Sequence, residues 1–380
     1  MRPGEKNSKF FYIDFESVKN AAMNLYSYEL GLIKPLALKG NLQKNRRGII
    51  VEMIFHDGTF AFGEISPLPF FSQESYEDAL KQAKKIRDKF NSESGKPGES
   101  MQEIISGNNR LLPSVQTGIE MALLNYSFYK ETAMKKAVGK NPDDFVLLNG
   151  LISLRAGASD KEIESEAERI MEKGYKTVKI KVGRQKPDDD ISMIKRIIST
   201  AGGDLRLRFD ANCSWDLETA MYFVKKLNCS KIAQATDYIE DPLKNTADLE
   251  CLYKQTGIGI AVDETQFIPI KTCPFLKAVI IKPTVAGGFE AASEKIEYCK
   301  SAGILPVLSS SFETGLGIAS IALFARMKKL SSAAAGLATL EWFGSDILNN
   351  KLTVKNGRLL TADAAAAISD MDFNKLKLIN

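Results

Sequence analysis

Between Thr177 and Pro283 five short apolar runs each end in charge: Lys179-Ile180-Lys181, Arg208-Phe209-Asp210-Ala211-Asn212, Ile239-Glu240-Asp241-Pro242, Ala261-Val262-Asp263-Glu264 and Ile280-Ile281-Lys282-Pro283. From Lys181 the steps to Asp210, Glu240, Asp263 and Lys282 are 29, 30, 23 and 19 residues by subtraction. That spacing is close to the roughly 30 residues per strand-plus-helix unit of an eight-unit barrel. Such barrels gather their chemistry at the C-terminal ends of the strands, so the pattern predicts five charged side chains in one mouth.

The alternation around this stretch supports a closed barrel. Strands are predicted at 145–149, 177–182, 205–210, 238–240, 258–263, 278–282, 305–309 and 336–340, separated over most of their length by helical segments. Strands alternating with helices imply a parallel sheet with right-handed crossovers, and eight strands can close. The expected fold class is therefore α/β, a modified TIM barrel. Before it, residues 48–63 read as a hairpin around His56-Asp57-Gly58, since Asp-Gly between β-rich runs is a strong turn signal. A Pro-rich loop, Glu64 to Ser72, and a helix from about Tyr76 to Phe90 follow. A second helix begins at Leu112-Pro113-Ser114-Val115, its apolar stripe at 115, 119, 122, 123 and 126. After Trp342 an Asn356-Gly357 turn lies in a segment expected to return to the N-terminal part. The predicted division is an α+β capping domain over 1–112, a catalytic barrel over 113–345, and a returning segment over 346–380.

With 51 Lys and Arg against 47 Asp and Glu, interspersed, the chain has no phosphate-tracking stripe and nucleic acid is not an expected partner. The five cysteines, 213, 229, 251, 273 and 299, are widely spaced without Cys-x-x-Cys, which fits a reducing compartment. Met1 to Phe15 lacks the apolar run of a signal peptide, and no stretch is apolar enough to span a bilayer. A cytoplasmic location is expected.

Asp210, Glu240 and Asp263 offer the hard oxygens that Mg²⁺ takes. The single histidine, His56, lies in a turn and reads as a surface residue, which excludes a multi-imidazole metal site and a Ser-His-Asp triad. Lys179 and Lys181 share a strand face by the two-residue repeat. Two adjacent ammonium groups lower one another's pKa, which brings a neutral amine within reach as a base. Lys282 is expected across the mouth from Lys181. A site of this kind can remove the proton next to a carboxylate, because cations stabilise the doubly charged enediolate that results.

The chain resembles the o-succinylbenzoate synthase family, in the muconate-lactonizing subgroup of the enolase superfamily. The resemblance covers nearly the whole sequence. It rests on Lys179-x-Lys181, Arg208 to Asn212, Ile281 to Thr284 and Gly336 to Leu340 in the barrel, on Ser309-Ser310-Ser311-Phe312-Glu313, and on Gly63 to Pro69, Phe71 to Glu74 and Leu112 to Val115 outside it. Enzymes of that superfamily use a Lys or His base with bound magnesium. The resemblance implies a (β/α)₇β barrel under an α+β cap, with Mg²⁺, or alternatively Mn²⁺, on Asp210, Glu240 and Asp263. It implies Lys181 as the base that removes the α-proton of 2-succinyl-6-hydroxy-2,4-cyclohexadiene-1-carboxylate and returns it to the leaving hydroxyl, in menaquinone biosynthesis. Lys282 would stabilise the enediolate, Lys179 and Ser309 would bind substrate, and Asn212, Glu264 and Arg208 would stand behind the metal ligands. Leu68, Phe70 and Phe71 would exclude water when the 64–72 loop closes.

Two positions depart from the family pattern: Asp241 follows Glu240 where Glu or Gln is usual, and Ala338 stands where an acid is usual. An N-acylamino acid racemase or dipeptide epimerase would share the same lysines, and a barrel without catalysis is the reading from a different class. Dipeptide epimerases hold the α-ammonium with an Asp-x-Asp pair near the eighth strand, and 336–340 offers none.

Overall fold

The computed structural model describes residues 21–38, 41–93, 111–135, 144–202, 205–228, 232–263, 273–330 and 333–380. Met1 to Phe15, Cys229 and Glu264 lie outside the described residues. Strands β1 (Ala22–Leu38), β2 (Asn41–Ile54) and β3 (Phe60–Ile65) form an antiparallel meander, followed by helices α1 (Tyr76–Glu93) and α2 (Pro113–Lys135). The Asp-Gly turn stands where the sequence placed it, with Gly58 at φ 76°. Gly63 is required by close approach, since a Cβ there would lie 1.8 Å from the Gly118 carbonyl oxygen of α2.

The predicted first barrel strand is two strands. Phe145–Leu147 (β4) pairs with a late strand, and only Asn149–Ile152 (β5) enters the barrel. The sequence shows apolar residues at 145–148 and again at 151–152, and the Asn149-Gly150 dipeptide between them is the local mark of the change of partner at Leu148. Then come α3 (Asp160–Glu172), β6 (Thr177–Lys181), α4 (Pro187–Ala201), β7 (Arg206–Asp210), α5 (Leu217–Asn228), α6 (Ile232–Ala235) and β8 (Thr236–Glu240). The barrel continues through α7 (Leu249–Thr256), β9 (Ile260–Val262), β10 (Leu276–Ile281), α8 (Pro283–Ala286), α9 (Phe289–Ser301), β11 (Leu305–Leu308) and α10 (Gly315–Met327). The α3 start is a capping box: Glu162 N–H donates to Ser159 Oγ, and the Glu162 carboxylate accepts from Ser159 N–H.

Seven parallel strands lie in the order β11-β10-β9-β8-β7-β6-β5. The eighth stave corrects the sequence expectation: it is a pair of single bridges at Ala335 and Gly336, and 338–342 is a 3₁₀ turn. Ala335 N–H donates to Leu147 O and Asn149 N–H to Ala335 O, while Gly336 N–H donates to Leu308 O and Ser310 N–H to Gly336 O. Four backbone bonds therefore close a (β/α)₇β barrel that a run of strand residues was expected to close. Lys355 and Arg358 flank the Asn356-Gly357 turn, and β12 (Arg358–Leu360) pairs with β4. After α11 (Thr361–Ala367), β13 (Lys377–Leu378) adds to the edge of β1. No described helix is long and apolar enough to cross a membrane.

Parity along β6 decides what faces where. Val178 and Ile180 are fully buried among the surrounding helices, in the cluster that holds Ile170, Ile194 and Ile197. Burying each such side chain contributes about 2 kcal/mol. Lys179 and Lys181 consequently point inward. Inside, half of the barrel is apolar, with Tyr238, Ala261, Ala278, Ile280 and Val307 packed together.

A buried carboxylate joins α2 to the barrel. Glu120, 1% exposed, accepts from Glu290 N–H at 3.0 Å in the first turn of α9 and from Gln116 Nε2 at 2.6 Å. Burial pushes its pKa up to about 7. Because the folded pKa lies above the ordinary value, the proton is held more tightly in the fold, and stability declines as pH rises from about 4.5 to 7. Glu120→Gln removes that decline. Denaturant titrations should show the variant gaining on the parent by roughly 3 kcal/mol between pH 4 and pH 8; a difference that is flat across this range would contradict the assignment.

Candidate active site

Strand register sets the mouth in two layers. Lys179, Arg208 and Tyr238 are aligned in one layer, and Lys181, Asp210, Glu240 and Ala261 in the next. Asp263, two residues beyond Ala261, and Lys282, one beyond the end of β10, face the same opening. Counted from β5, Lys181 stands on the second stave and Lys282 on the sixth, which are diametrically opposite in a barrel of eight. Asp210, Glu240 and Asp263 occupy the third, fourth and fifth, between them.

All three carboxylates are 3% exposed or less. Lys179 Nζ bridges Asp210 at 2.6 Å and Glu240 at 2.7 Å. Lys181 Nζ lies 2.6 Å from Asp210 Oδ2 and donates to Asn212 Oδ1 at 2.9 Å. Lys282 Nζ pairs with Asp263 Oδ2, and the Phe71 ring of the 64–72 loop lies over it at 4.6 Å. Among the described residues no three acidic, cysteine or histidine side chains are gathered to hold an ion as they stand. Their oxygens are turned toward ammonium groups.

The electrostatics follow from this packing. Burial opposes the charge on Lys179, but Asp210 and Glu240 outweigh it and hold its pKa well above the ordinary value. The same lysines hold Asp210 far below the usual carboxylate range against its burial. Burial, with the Asp210 charge beside it, pushes Glu240 up to about 7. Lys181 is lowered by burial and then by the neighbouring Lys179 charge, while Asp263 raises Lys282 despite burial. The mouth therefore holds one softened amine and one firm cation on opposite staves.

The remaining sequence candidates fall as follows. Asn212, at φ 46°, touches Lys181 and donates its N–H to Asp210 Oδ1 at 3.0 Å. Ser309 Oγ donates to Gly336 O at 3.3 Å, on the stave that closes the barrel. Arg208 lies one layer below the mouth, donating to Ala334 O at 2.7 Å, Asn149 Oδ1 at 3.2 Å and Asp237 Oδ2 at 3.3 Å. Of the loop residues, Leu68 is buried, Phe71 meets Lys282, and Phe70 turns outward at 49% exposure. His56 is exposed in its turn.

Sequence reading missed Asp241 as a site residue. It is buried, at φ 44°, and its Oδ1 accepts from Asp263 N–H at 3.0 Å, bracing the end of β9. The one signal was its departure from the family pattern. Arg46, Glu64 and Glu313 were missed as a buried network, because nothing local marks a strand arginine or a loop acid as buried.

A lidded (β/α)₇β barrel with acids between opposed lysines is the architecture of the enolase superfamily, whose members are enzymes. Residues 162–365 match the family model described as enolase C-terminal domain-like, and residues 20–126 that described as MenC, N-terminal domain. The chain is 31% identical to the o-succinylbenzoate synthase of Pasteurella multocida, over 83% of this chain and 88% of that one. It is 27% identical to the chloroplastic protein PHYLLO of Arabidopsis thaliana, over 87% of this chain, and spans only 22% of that much longer protein. In fold it is similar to the L-Ala-D/L-Glu epimerase of Bacillus subtilis, with a TM-score of 0.74 at 23% identity, covering 89% of this chain and 95% of that one. The chain belongs to the o-succinylbenzoate synthase family of the enolase superfamily, and with that to the lyases.

Lys179 touches two buried carboxylates at once, Asp210 and Glu240. Lys179→Met should therefore destabilise the metal-free protein by about 3 kcal/mol, the usual scale for removing one partner of a buried ion pair. Urea titration in the presence of chelator measures this, and an unchanged midpoint would refute the bridging role.

Proposed function

We propose that the chain is an o-succinylbenzoate synthase: it removes water from 2-succinyl-6-hydroxy-2,4-cyclohexadiene-1-carboxylate to give o-succinylbenzoate, in menaquinone biosynthesis. The observation that carries this is a lowered-pKa lysine facing a firmly charged one across three buried acids, in a chain of that family. Asp210, Glu240 and Asp263 form a hard-oxygen donor set, buried at the ends of adjacent staves. That set fits a divalent cation, Mg²⁺ or alternatively Mn²⁺, which when bound would neutralise charge developing on the substrate carboxylate. Asn212 and Asp241 would hold the ligands in place, with Glu264 as a further support, while Arg208 would brace the floor beneath them through Ala334, Asn149 and Asp237.

The chain's own residues do the rest. Lys181 as free amine takes the proton from the carbon bearing the carboxylate. Lys282, kept charged by Asp263, faces the substrate from the other side and stabilises the enediolate. Lys181, now an ammonium, returns its proton to the departing hydroxyl on the same face; the C–O bond breaks and water leaves. The ring becomes aromatic, which drives the step. Lys179 and Ser309 would bind the substrate's polar groups, and Phe71 would keep water from Lys282. We read 1–112 as the capping domain, 113–345 as the catalytic barrel and 346–380 as the segment returning to the cap, in a cytoplasmic enzyme.

Opposed lysines would also serve two-base racemisation of an N-acylamino acid or a dipeptide, and the epimerase fold neighbour keeps that reading in view. Against the dipeptide version, Ala338 and Thr339 leave the end of the eighth stave without an acidic pair for an α-ammonium group.

Incubation of purified protein with the cyclohexadiene acid and Mg²⁺ should yield the aromatic product, followed by absorbance. Chelator should abolish turnover and added Mg²⁺ restore it. Lys181→Ala should lower kcat by at least roughly 10³-fold while folding is retained. Racemisation of an N-succinylamino acid without any dehydration would favour the alternative.

A further inference from the structure

Arg46 of β2 takes no part in the chemistry above, yet it is 1% exposed. Its guanidinium donates Nη1 to Pro67 O at 2.9 Å, and Nη2 to Ser66 O at 3.1 Å and Ser66 Oγ at 2.5 Å. On the barrel side Nε donates to Phe312 O at 3.0 Å, and Nη2 reaches Ser311 O at 3.4 Å. One planar fork therefore spans two loops that are more than 240 residues apart in sequence. The first loop leads to Phe71, which lies over Lys282; the second leads back to Ser309 on the seventh stave.

The second loop is held from its other side by buried acids. Glu313 accepts from Ser311 N–H at 2.6 Å and from Thr284 Oγ1 at 2.6 Å, two residues beyond Lys282. Glu64 accepts from Thr314 N–H at 3.0 Å and from Gly317 N–H at 3.1 Å, at the start of α10. Phe312 sits between these anchors at φ 60°, a left-handed conformation that a bulky residue keeps only when its surroundings impose it. Arg46 donates to both loops. A lysine would carry the same charge but cannot reproduce a rigid five-donor fork, so several buried carbonyls would lose their partners.

We infer that Arg46 is a positioning residue for the mouth: it ties the loop carrying Phe71 to the loop carrying Ser309 and so fixes the width of the substrate opening. The inference rests on the proposed dehydration only for its kinetic consequence. Arg46→Met and Arg46→Lys test it by hydrogen–deuterium exchange over 66–72 and 309–314, by Mn²⁺ titration, and by steady-state kinetics with the cyclohexadiene acid.

Exchange should quicken in both loops together, Mn²⁺ affinity should stay within about twofold, and kcat/KM should fall by roughly 100-fold, mostly through KM. Exchange that quickens in one loop or in neither overturns the inference, and so does Mn²⁺ affinity that falls in step with kcat/KM, which would mark general loosening. If Arg46→Met does not fold, Arg46→Lys carries the same comparison. If the parent protein shows no dehydration, the functional proposal fails on its own, and paired exchange in the two loops still decides the role of Arg46.

Discussion

Charge confined in a dry barrel mouth is the constraint on which this structure depends. Asp210, Glu240 and Asp263 are removed from water at the ends of three adjacent strands, where an unpaired carboxylate would be very costly. Lys179, Lys181 and Lys282 answer that charge in the described structure. The arrangement is poised between two uses of the same oxygens: they bind ammonium groups here, and they are the donors a divalent cation would need. Among these three lysines the amine at Lys181 is the one whose charge the surroundings favour least.

The rest of the fold serves to hold those groups still. Beneath the mouth Arg208 crosses to Ala334 and Asn149, so the floor is tied to the short closing stave by a side chain where backbone pairing is sparse. Above it, acids buried at helix starts lock the N-terminal elements to the barrel: Glu64 at α10 and Glu120 at α9. A carboxylate at such a position satisfies otherwise unpartnered N–H groups and meets the positive end of the helix dipole. Each bond joins distant parts of the chain, so a loosened cap would be felt at the strand ends.

Much of the site was legible before any coordinates. The repeat of two along Lys179-Ile180-Lys181 was enough to turn both lysines inward, because strand geometry fixes side-chain direction locally. Spacing and flanking charge placed Asp210, Glu240, Asp263 and Lys282 at successive strand ends. Where reading failed, the cause was long-range. The segment 145–152 changes partner at Leu148, and the eighth stave shrinks to Ala335 and Gly336 because its neighbours need only two residues to close the ring. Arg46 and Asp241 gave no periodic signal, and their roles exist only through residues brought near by folding.

The sequence alone determined the order of the strands, the charge carried at the end of each and the face each presents, since these follow from covalent geometry and local periodicity. Tertiary structure decided which lysine meets which carboxylate, how few residues close the barrel, and which buried arginine joins the two loops above it. Those outcomes depend on burial and on distances across the ring, which exist only after the chain has closed on itself.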